Sequence, residues 1–155
     1  MEKHLKQLPS NCIKVVLFGP ESTGKTTLAK ALAEHYNTMW VPEYARTYLE
    51  NKWHQSGEIC APEDIFPIAV GQIRLENEAV KKANTFLFCD TTTLSTQVYS
   101  EAYFKGWCDQ KVVHANKKNS YDVYFLTDID VPWEKDLLRD RPNQREEMLE
   151  TFASA

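Results

Sequence analysis

The sequence lacks several features that would mark particular classes of protein. It has only four cysteines, none in a C-x-x-C spacing, and its four histidines are scattered, so a zinc site is not expected. Lys plus Arg number 18 against 22 for Asp plus Glu, which argues against broad binding to nucleic acid or to anionic membranes. The longest apolar runs, such as residues 15–18, are far shorter than the roughly 20 residues that a membrane-spanning helix needs.

The composition that remains is that of a globular domain. The chain has 155 residues, of which 43% are hydrophobic and 26% charged, so we predict one domain over residues 1–155. The N-terminus, MEKHLKQLPSN, contains no apolar h-region, so no signal peptide is expected. Four free thiols fit a reducing compartment, and the predicted location is therefore the cytoplasm.

Apolar, β-branched segments alternate with segments of helical periodicity. Strands are predicted at residues 13–18, 38–41, 85–89 and 121–126. Helices are predicted at residues 25–36, 44–52, 63–83, 94–103 and 109–116. This alternation indicates an α/β fold with a parallel sheet and helices on both of its faces. The predicted core face of the longest helix comprises Ile65, Ile68, Ala69, Gln72, Ile73, Glu76 and Ala79.

Residues 19–26, G-P-E-S-T-G-K-T, match the P-loop pattern G-x-x-x-x-G-K-[ST] between a predicted strand and a predicted helix. In such a loop, backbone N–H groups and the helix N-terminus surround a phosphate. Lys25 would reach the β- and γ-phosphates of ATP, and the Thr26 hydroxyl would face Mg²⁺. The residues predicted to bind the nucleotide are Gly19, Pro20, Glu21, Ser22, Thr23, Gly24, Lys25, Thr26 and Thr27.

Two carboxylates follow predicted strands, where ligands of parallel sheets gather. Asp90 ends T-F-L-F-C-D and is predicted to hold Mg²⁺ with Thr26, although a capping role is the alternative. Glu43, in V-P-E-Y-A-R, could accept a hydrogen bond from a substrate hydroxyl, or it could simply interact with a helix dipole. Arg46, one turn further on, could pair with Glu43 or with a phosphate.

The segment 128–145 is rich in charge and proline and is predicted to be a lid. Arg139 and Arg141 could stabilise a transferring phosphoryl group there, although such runs are commonly solvated surface. Trp133 could stack on a flat ring or pack against the protein. Gln72, with Glu76 on the same helix face, could line a substrate pocket, and buried polar satisfaction explains both residues equally well.

Together these stretches resemble the ribosylnicotinamide kinase domain of the NadR type, a member of the P-loop AAA_28-like group. The resemblance runs from about residue 13 to residue 150, through V-V-L-F-G-P-E-S-T-G-K-T-T-L-A, V-P-E-Y-A-R, I-A-V-G-Q, F-C-D-T-T, L-T-D-I-D-V-P-W and L-R-D-R-P. It implies phosphoryl transfer from ATP to the 5′-hydroxyl of nicotinamide riboside, which gives nicotinamide mononucleotide. It also implies a Walker B role for Asp90, a lid role for Arg139 and Arg141, and a substrate-side or metal-side carboxylate in Glu43.

The sequence departs from the resemblance at both ends and at one position of the predicted lid. About a dozen residues precede the first predicted strand, so an adenylyltransferase domain is not expected. A P-loop kinase normally has a fifth strand and a closing helix, and both are expected to be missing here. Where related sequences often have glycine, this sequence has Leu137.

Other functions remain open. The acceptor could be another nucleoside, or the protein could be an ATPase or a nucleotide-dependent switch. A GTPase is disfavoured because the nearest match to N-K-x-D is N-K-K-N at residues 116–119. The oligomeric state is not predicted.

Overall fold

The computed structural model describes residues 2–19 and 24–127. Its strands are β1 (Ile13–Phe18), β2 (Trp40–Val41), β3 (Phe86–Asp90) and β4 (Val123–Leu126). Its α-helices are α1 (Lys25–His35), α2 (Tyr44–Ser56), α3 (Ile65–Val80), α4 (Thr93–Tyr103) and α5 (Gln110–Lys118). Short 3₁₀ helices occupy Glu2–Leu5 and Pro62–Asp64.

All four strands are parallel and lie in the order β2-β3-β1-β4. Successive residues of β1 face opposite sides of the sheet. Val15 packs with Ala33 of α1 on one side, whereas Val16 packs with Ala79 of α3 and Val98 of α4 on the other. This arrangement confirms the predicted α/β fold with helices on both faces of a parallel sheet.

Helix α3 runs across the sheet with its predicted core face inward. All seven residues predicted for that face are buried, the polar Gln72 and Glu76 included. The helix is shorter than the predicted 63–83, because its first turn is the 3₁₀ helix Pro62–Asp64 and it ends at Val80. In the described part of the chain even this longest helix has only 16 residues, and no helix there is long and apolar enough to cross a membrane.

Helix α2 corrects the sequence prediction, because it continues to Ser56, beyond the end predicted at residue 52. The Ser56 hydroxyl donates to the carbonyl oxygen of Lys52 at 3.0 Å. The Lys52 ammonium lies 2.5 Å from Asp64 at the start of α3. Gly57, with φ 68°, ends the helix in the left-handed conformation that favours glycine. Tertiary pairing thus extends a helix whose local sequence predicts an earlier end.

Buried charged and polar side chains form a network at the amino edge of the sheet, where the parallel strands begin. The Glu76 carboxylate accepts hydrogen bonds from Lys14 Nζ at 3.0 Å and Gln7 Nε2 at 2.8 Å through Oε2. Its Oε1 accepts from the Tyr121 hydroxyl at 2.6 Å. The Lys14 backbone N–H donates to Asp122 at 2.8 Å. These bonds tie the N-terminal segment, β1, α3 and the chain that enters β4 to one another.

Candidate functional site

The phosphate-loop glycines lie where β1 leaves the sheet and where α1 begins. Gly19 has φ 153°, and a Cβ there would clash with the Thr127 side chain. Gly24 has φ 82° and is the N-cap of α1. Both conformations favour glycine, and the first turn of α1 follows at once with Lys25, which is 8% exposed. The described part of the predicted loop thus brings a helix N-terminus and a lysine to the carboxyl edge of the sheet.

Asp90 ends β3, directly beside β1, with Leu17 as its register partner. The Thr26 hydroxyl donates to Oδ2 of Asp90. The carboxylate is 1% exposed, and its Oδ1 has no hydrogen-bond partner among the described residues. Burial raises the pKa of Asp90, while the positive charge of Lys25, the Thr26 hydrogen bond and the charge of Arg46 act to lower it.

This oxygen pair fits a hard divalent cation. Mg²⁺ in nucleotide sites is held by one or two protein oxygens, with water and phosphate oxygens completing its shell. Thr26 and Asp90 provide two such oxygens, and the unpartnered Oδ1 of Asp90 is available as an acceptor. The structure thus places the two residues of the predicted magnesium site in contact with each other, and their role in holding the metal stays a prediction.

One cavity joins the start of α1 to helices α2, α3 and α4. It brings together seven of the predicted site residues, which are Gly24, Lys25, Thr26, Thr27, Glu43, Arg46 and Gln72. Its far wall is largely apolar and aromatic, and is formed in part by Leu49, Ile65, Ile68, Tyr99, Tyr103 and Phe104. A polar end beside the phosphate loop and an aromatic far end suit an acceptor with a hydroxyl group and a ring.

Glu43 and Arg46 enter this cavity because α2 begins immediately after β2. Glu43 is the N-cap residue of α2, with φ −75° and ψ 107°, and its side chain makes no cap hydrogen bond. Arg46, in the first turn, also forms an ion pair with Glu50 at 3.3 Å, where both side chains are more than a third exposed. The location predicted for Glu43, at the carboxyl end of a strand, is the one observed.

The two polar residues on the core face of α3 have different surroundings. Gln72 lines the cavity, and its amide contacts the backbone of Pro42 and Tyr44. Glu76 lies instead in the network with Lys14 at the amino edge. For Glu76, the structure therefore favours buried polar satisfaction over a role in a substrate pocket.

The sequence prediction missed the contribution of α4 to the cavity. Ser95, Thr96, Tyr99 and Tyr103 line it, and the two tyrosine rings are stacked 6.0 Å apart. The available signal was position: α4 begins three residues after Asp90, so its first turns must start from the same edge of the sheet. Tyrosines at an i, i+4 spacing then share one helix face.

Several predicted site residues lie outside the described residues. They are Pro20, Glu21, Ser22 and Thr23 of the phosphate loop, Trp133, and Arg139 and Arg141 of the predicted lid at 128–145. Their roles stay predictions.

Curated proteins that are similar to this chain include two NadR proteins. Both are named trifunctional NAD biosynthesis/regulator protein NadR, one from Salmonella typhimurium and one from Escherichia coli K12, and each is 34% identical over 127 residues. Each match covers 81% of this chain but only 30% of the relative.

Solved structures share the fold. A NadR protein in complex with NR has a TM-score of 0.66, and one in complex with NAD and AMP-PNP has a TM-score of 0.68. Both are 24% identical in sequence, cover 90% of this chain, and are themselves covered to 42% and 40%.

The family match agrees with the motif and with the architecture. Residues 14–155 match the family AAA_28, described as an AAA domain. That range contains the phosphate loop, the Thr26–Asp90 contact and the whole cavity described above. The chain is therefore a member of the AAA_28 family of P-loop domains.

Proposed function

We propose that this protein is an ATP-dependent kinase that phosphorylates the 5′-hydroxyl of nicotinamide riboside, giving nicotinamide mononucleotide for NAD salvage in the cytoplasm. The observation that carries the proposal is the shared cavity, which places Lys25 and Thr26 beside Glu43, Arg46 and an aromatic wall. A hydrolase or switch needs no acceptor pocket of this kind. The choice of acceptor is supported by the curated NadR relatives, and by the solved structure of a NadR protein in complex with NR.

The residues of the cavity suit an in-line transfer of the γ-phosphoryl group. The acceptor oxygen forms a bond to the γ-phosphorus, the bond to the β–γ bridging oxygen breaks, and ADP leaves. Glu43 orients the acceptor hydroxyl and takes its proton. Lys25, together with Arg46, stabilises the negative charge on the transferring group. Positioning and electrostatics provide most of the rate enhancement in such reactions.

A magnesium ion completes the proposed nucleotide site. Thr26 and Asp90 would hold it, because their oxygens already meet at the edge of the sheet. When bound, Mg²⁺ would neutralise charge on the β- and γ-phosphates. Asp90 is accordingly assigned to the metal and Glu43 to the acceptor, which separates the roles of two carboxylates that the sequence alone left open.

The aromatic wall supplies the acceptor end of the proposed site. Tyr99 and Tyr103 stack on each other with ring planes 14° apart, and Phe104 lies beside them in the cavity. Flat aromatic surfaces of this kind pack well against a heterocyclic ring. Arg139 and Arg141 are proposed to act from the lid segment on the transferring phosphoryl group, and Trp133 is proposed to stack on the flat ring of the acceptor.

The proposal is tested by measuring ADP release from Mg-ATP with and without nicotinamide riboside, beside a panel of other nucleosides. We expect strong stimulation by nicotinamide riboside, with nicotinamide mononucleotide identified by mass. Stimulation by a different nucleoside would retain the kinase and replace its substrate. ATP binding with no stimulation by any acceptor would contradict the kinase assignment of this chain and favour an ATPase or switch.

A lysine pair on α1 provides the matched control. Lys25→Ala should reduce transfer by about 100-fold or more, because the phosphate charge loses its main protein partner, while the fold survives. Lys30→Ala removes a lysine of the same helix that lies over the Trp40 ring, 5.4 Å from its centroid, and should leave transfer within about 2-fold. Equal turnover in both variants would refute the phosphate-loop assignment.

A further inference from the structure

Gly71 and Gln72 of α3 form a seat for the junction between β2 and α2; we call this pair the α3 seat. Gln72 is 2% exposed. Its Nε2 donates to the carbonyl oxygen of Pro42 at 3.0 Å, and its Oε1 accepts from the backbone N–H of Tyr44 at 2.9 Å. These two bonds bracket one residue, Glu43, by the backbone on either side of it.

A side chain that makes both of these hydrogen bonds must carry a donor and an acceptor, as the primary amide of Gln72 does. The Tyr44 N–H belongs to the first turn of α2 and has no partner within its own helix. The Pro42 carbonyl needs a donor from elsewhere. A neutral amide supplies one donor and one acceptor together, whereas a carboxylate supplies acceptors only and methionine supplies neither. Asparagine offers the same groups on a side chain that is one methylene shorter.

The neighbouring glycine provides an independent constraint on the same junction. Gly71 is buried inside α3, where glycine is costly relative to alanine. A Cβ at this position would clash with the ring of Tyr44. The guanidinium of Arg74 lies over that ring, 5.5 Å from its centroid. Tyr44 is thus packed directly against the α3 backbone, and the residue after Glu43 is fixed by its side chain as well as by its N–H.

We propose that Gln72 is a positioning residue for phosphoryl transfer, which acts by holding the backbone on both sides of Glu43 so that its carboxylate meets the acceptor hydroxyl. Because the proton must pass from that hydroxyl to the Glu43 carboxylate, a displacement of the carboxylate by about 1 Å is enough to lower the rate of transfer by about 100-fold. This inference rests on the proposed function, in which Glu43 acts on the acceptor. It changes the predicted role of Gln72 from substrate contact to control of Glu43.

A double-mutant cycle tests the proposal. Gln72→Met keeps the side-chain length and removes both hydrogen bonds, and it is measured in the wild-type and Glu43→Gln backgrounds. We expect kcat to fall about 10- to 100-fold in the first background and less than about 3-fold in the second. The KM for ATP should stay within about 2-fold, because the bracket does not touch the phosphate loop.

A second variant perturbs the same seat by another route. Gly71→Ala favours the helix but pushes against the Tyr44 ring, and it should also lower kcat in the wild-type background more than in the Glu43→Gln background. Glu76→Gln, one turn along the same face of α3, is the matched control. It should lower the melting temperature without changing the kcat of the folded protein, and thermal melts of every variant separate loss of fold from loss of positioning.

The measurements distinguish failure of the positioning role from failure of the proposed function. Unequal losses in the two backgrounds, with unchanged KM for ATP, support the positioning role. Equal losses in both backgrounds would overturn it and leave the kinase intact, since Gln72 would then act without Glu43. A wild-type protein that releases no ADP in response to any acceptor would instead overturn the proposed function, and the inference with it.

Discussion

Two buried carboxylates, Asp90 and Glu76, lie at opposite edges of the same sheet and are each 1% exposed. At the amino edge, both oxygens of Glu76 accept hydrogen bonds, from Gln7, Lys14 and Tyr121. At the carboxyl edge, Asp90 accepts from Thr26 through one oxygen, and the other has no partner among the described residues. The two carboxylates are thus equally buried, but among the described residues only Glu76 has hydrogen-bond partners for both of its oxygens.

The difference in hydrogen bonding indicates that Glu76 serves stability and that Asp90 serves ligand binding. A buried charge is costly unless it is paired and hydrogen-bonded, and the surroundings of Glu76 meet that condition within the protein. Asp90 does not have the same set of partners, so burial raises its pKa even though Lys25 and Arg46 oppose the shift. An incompletely satisfied buried carboxylate beside a phosphate loop is typical of a site that a ligand completes.

Of the two buried carboxylates, Asp90 is expected to have the larger effect on activity. Asp90→Asn should lower transfer by about 100-fold, because a neutral amide is a poor ligand for a divalent cation that contributes several kcal/mol to the transition state. The Mg²⁺ concentration that gives half-maximal activity should rise, while the melting temperature should change little. An unchanged magnesium titration would move the metal role to another residue and remove half of the comparison.

The largest effect on stability is expected at Glu76. Glu76→Gln leaves Lys14 as an unpaired buried charge, which should lower the free energy of unfolding by about 3 kcal/mol and the melting temperature by roughly 10 °C. Chemical denaturation and thermal melts measure this directly. The kcat of the folded protein should stay within about 2-fold of wild type, and a large loss of kcat without a loss of stability would contradict the division between the two edges.

Asp64 extends the comparison to a third buried carboxylate. Burial alone would raise its pKa, but hydrogen bonds from Lys52, the Ala61 N–H and Tyr48 hold the pKa below its usual value. Because the pKa of Asp64 is lower in the folded protein than in the unfolded chain, ionised Asp64 stabilises the fold at pH values above its unfolded-state pKa. This contribution to stability disappears as the pH falls through the folded-state pKa. Asp64→Asn should therefore be less stable than wild type at neutral pH, by less than Glu76→Gln.

The pH dependence of that difference is the measurement. The stability gap between wild type and Asp64→Asn should narrow as the pH is lowered below about 4. A gap that is constant across the acid range would show that the ionised carboxylate contributes nothing beyond packing. Lys81 and Glu78, an exposed ion pair on the surface at 3.1 Å, supply a control whose removal should change stability by less than about 1 kcal/mol.

Among the substitutions in the buried networks, the smallest effect is expected from Tyr121→Phe. This change removes one of the three hydrogen bonds to Glu76 and leaves the ring in place, so we expect a loss of about 1–2 kcal/mol of stability. Denaturant titration resolves a change of this size. No loss at all would indicate that Lys14 and Gln7 alone satisfy the carboxylate, which would refine the account of the amino edge without touching the site.

The sequence predicted best where the determinants are local. The run of β-branched residues in β1, the glycine-rich loop and the helical periodicity of α1 are contiguous in the chain, and the structure places β1 and α1 within a residue of the predicted ends. The core face of α3 was predictable because burial on one side of a helix imposes a regular spacing of apolar residues. The end of α2 was not, because Lys52 is paired with Asp64, twelve residues away.

For the site, sequence alone determined which chemical groups are present and where they stand relative to strand ends. Lys25, Thr26 and Asp90 follow directly from a motif and a strand terminus. Gln72 and Glu76 look alike in sequence, as two polar residues on one apolar helix face. Only the tertiary structure assigned one to the backbone around Glu43 and the other to Lys14, because the partner of a buried polar group is set by which distant segments pack against it, and one turn along α3 exchanges one set of neighbours for another.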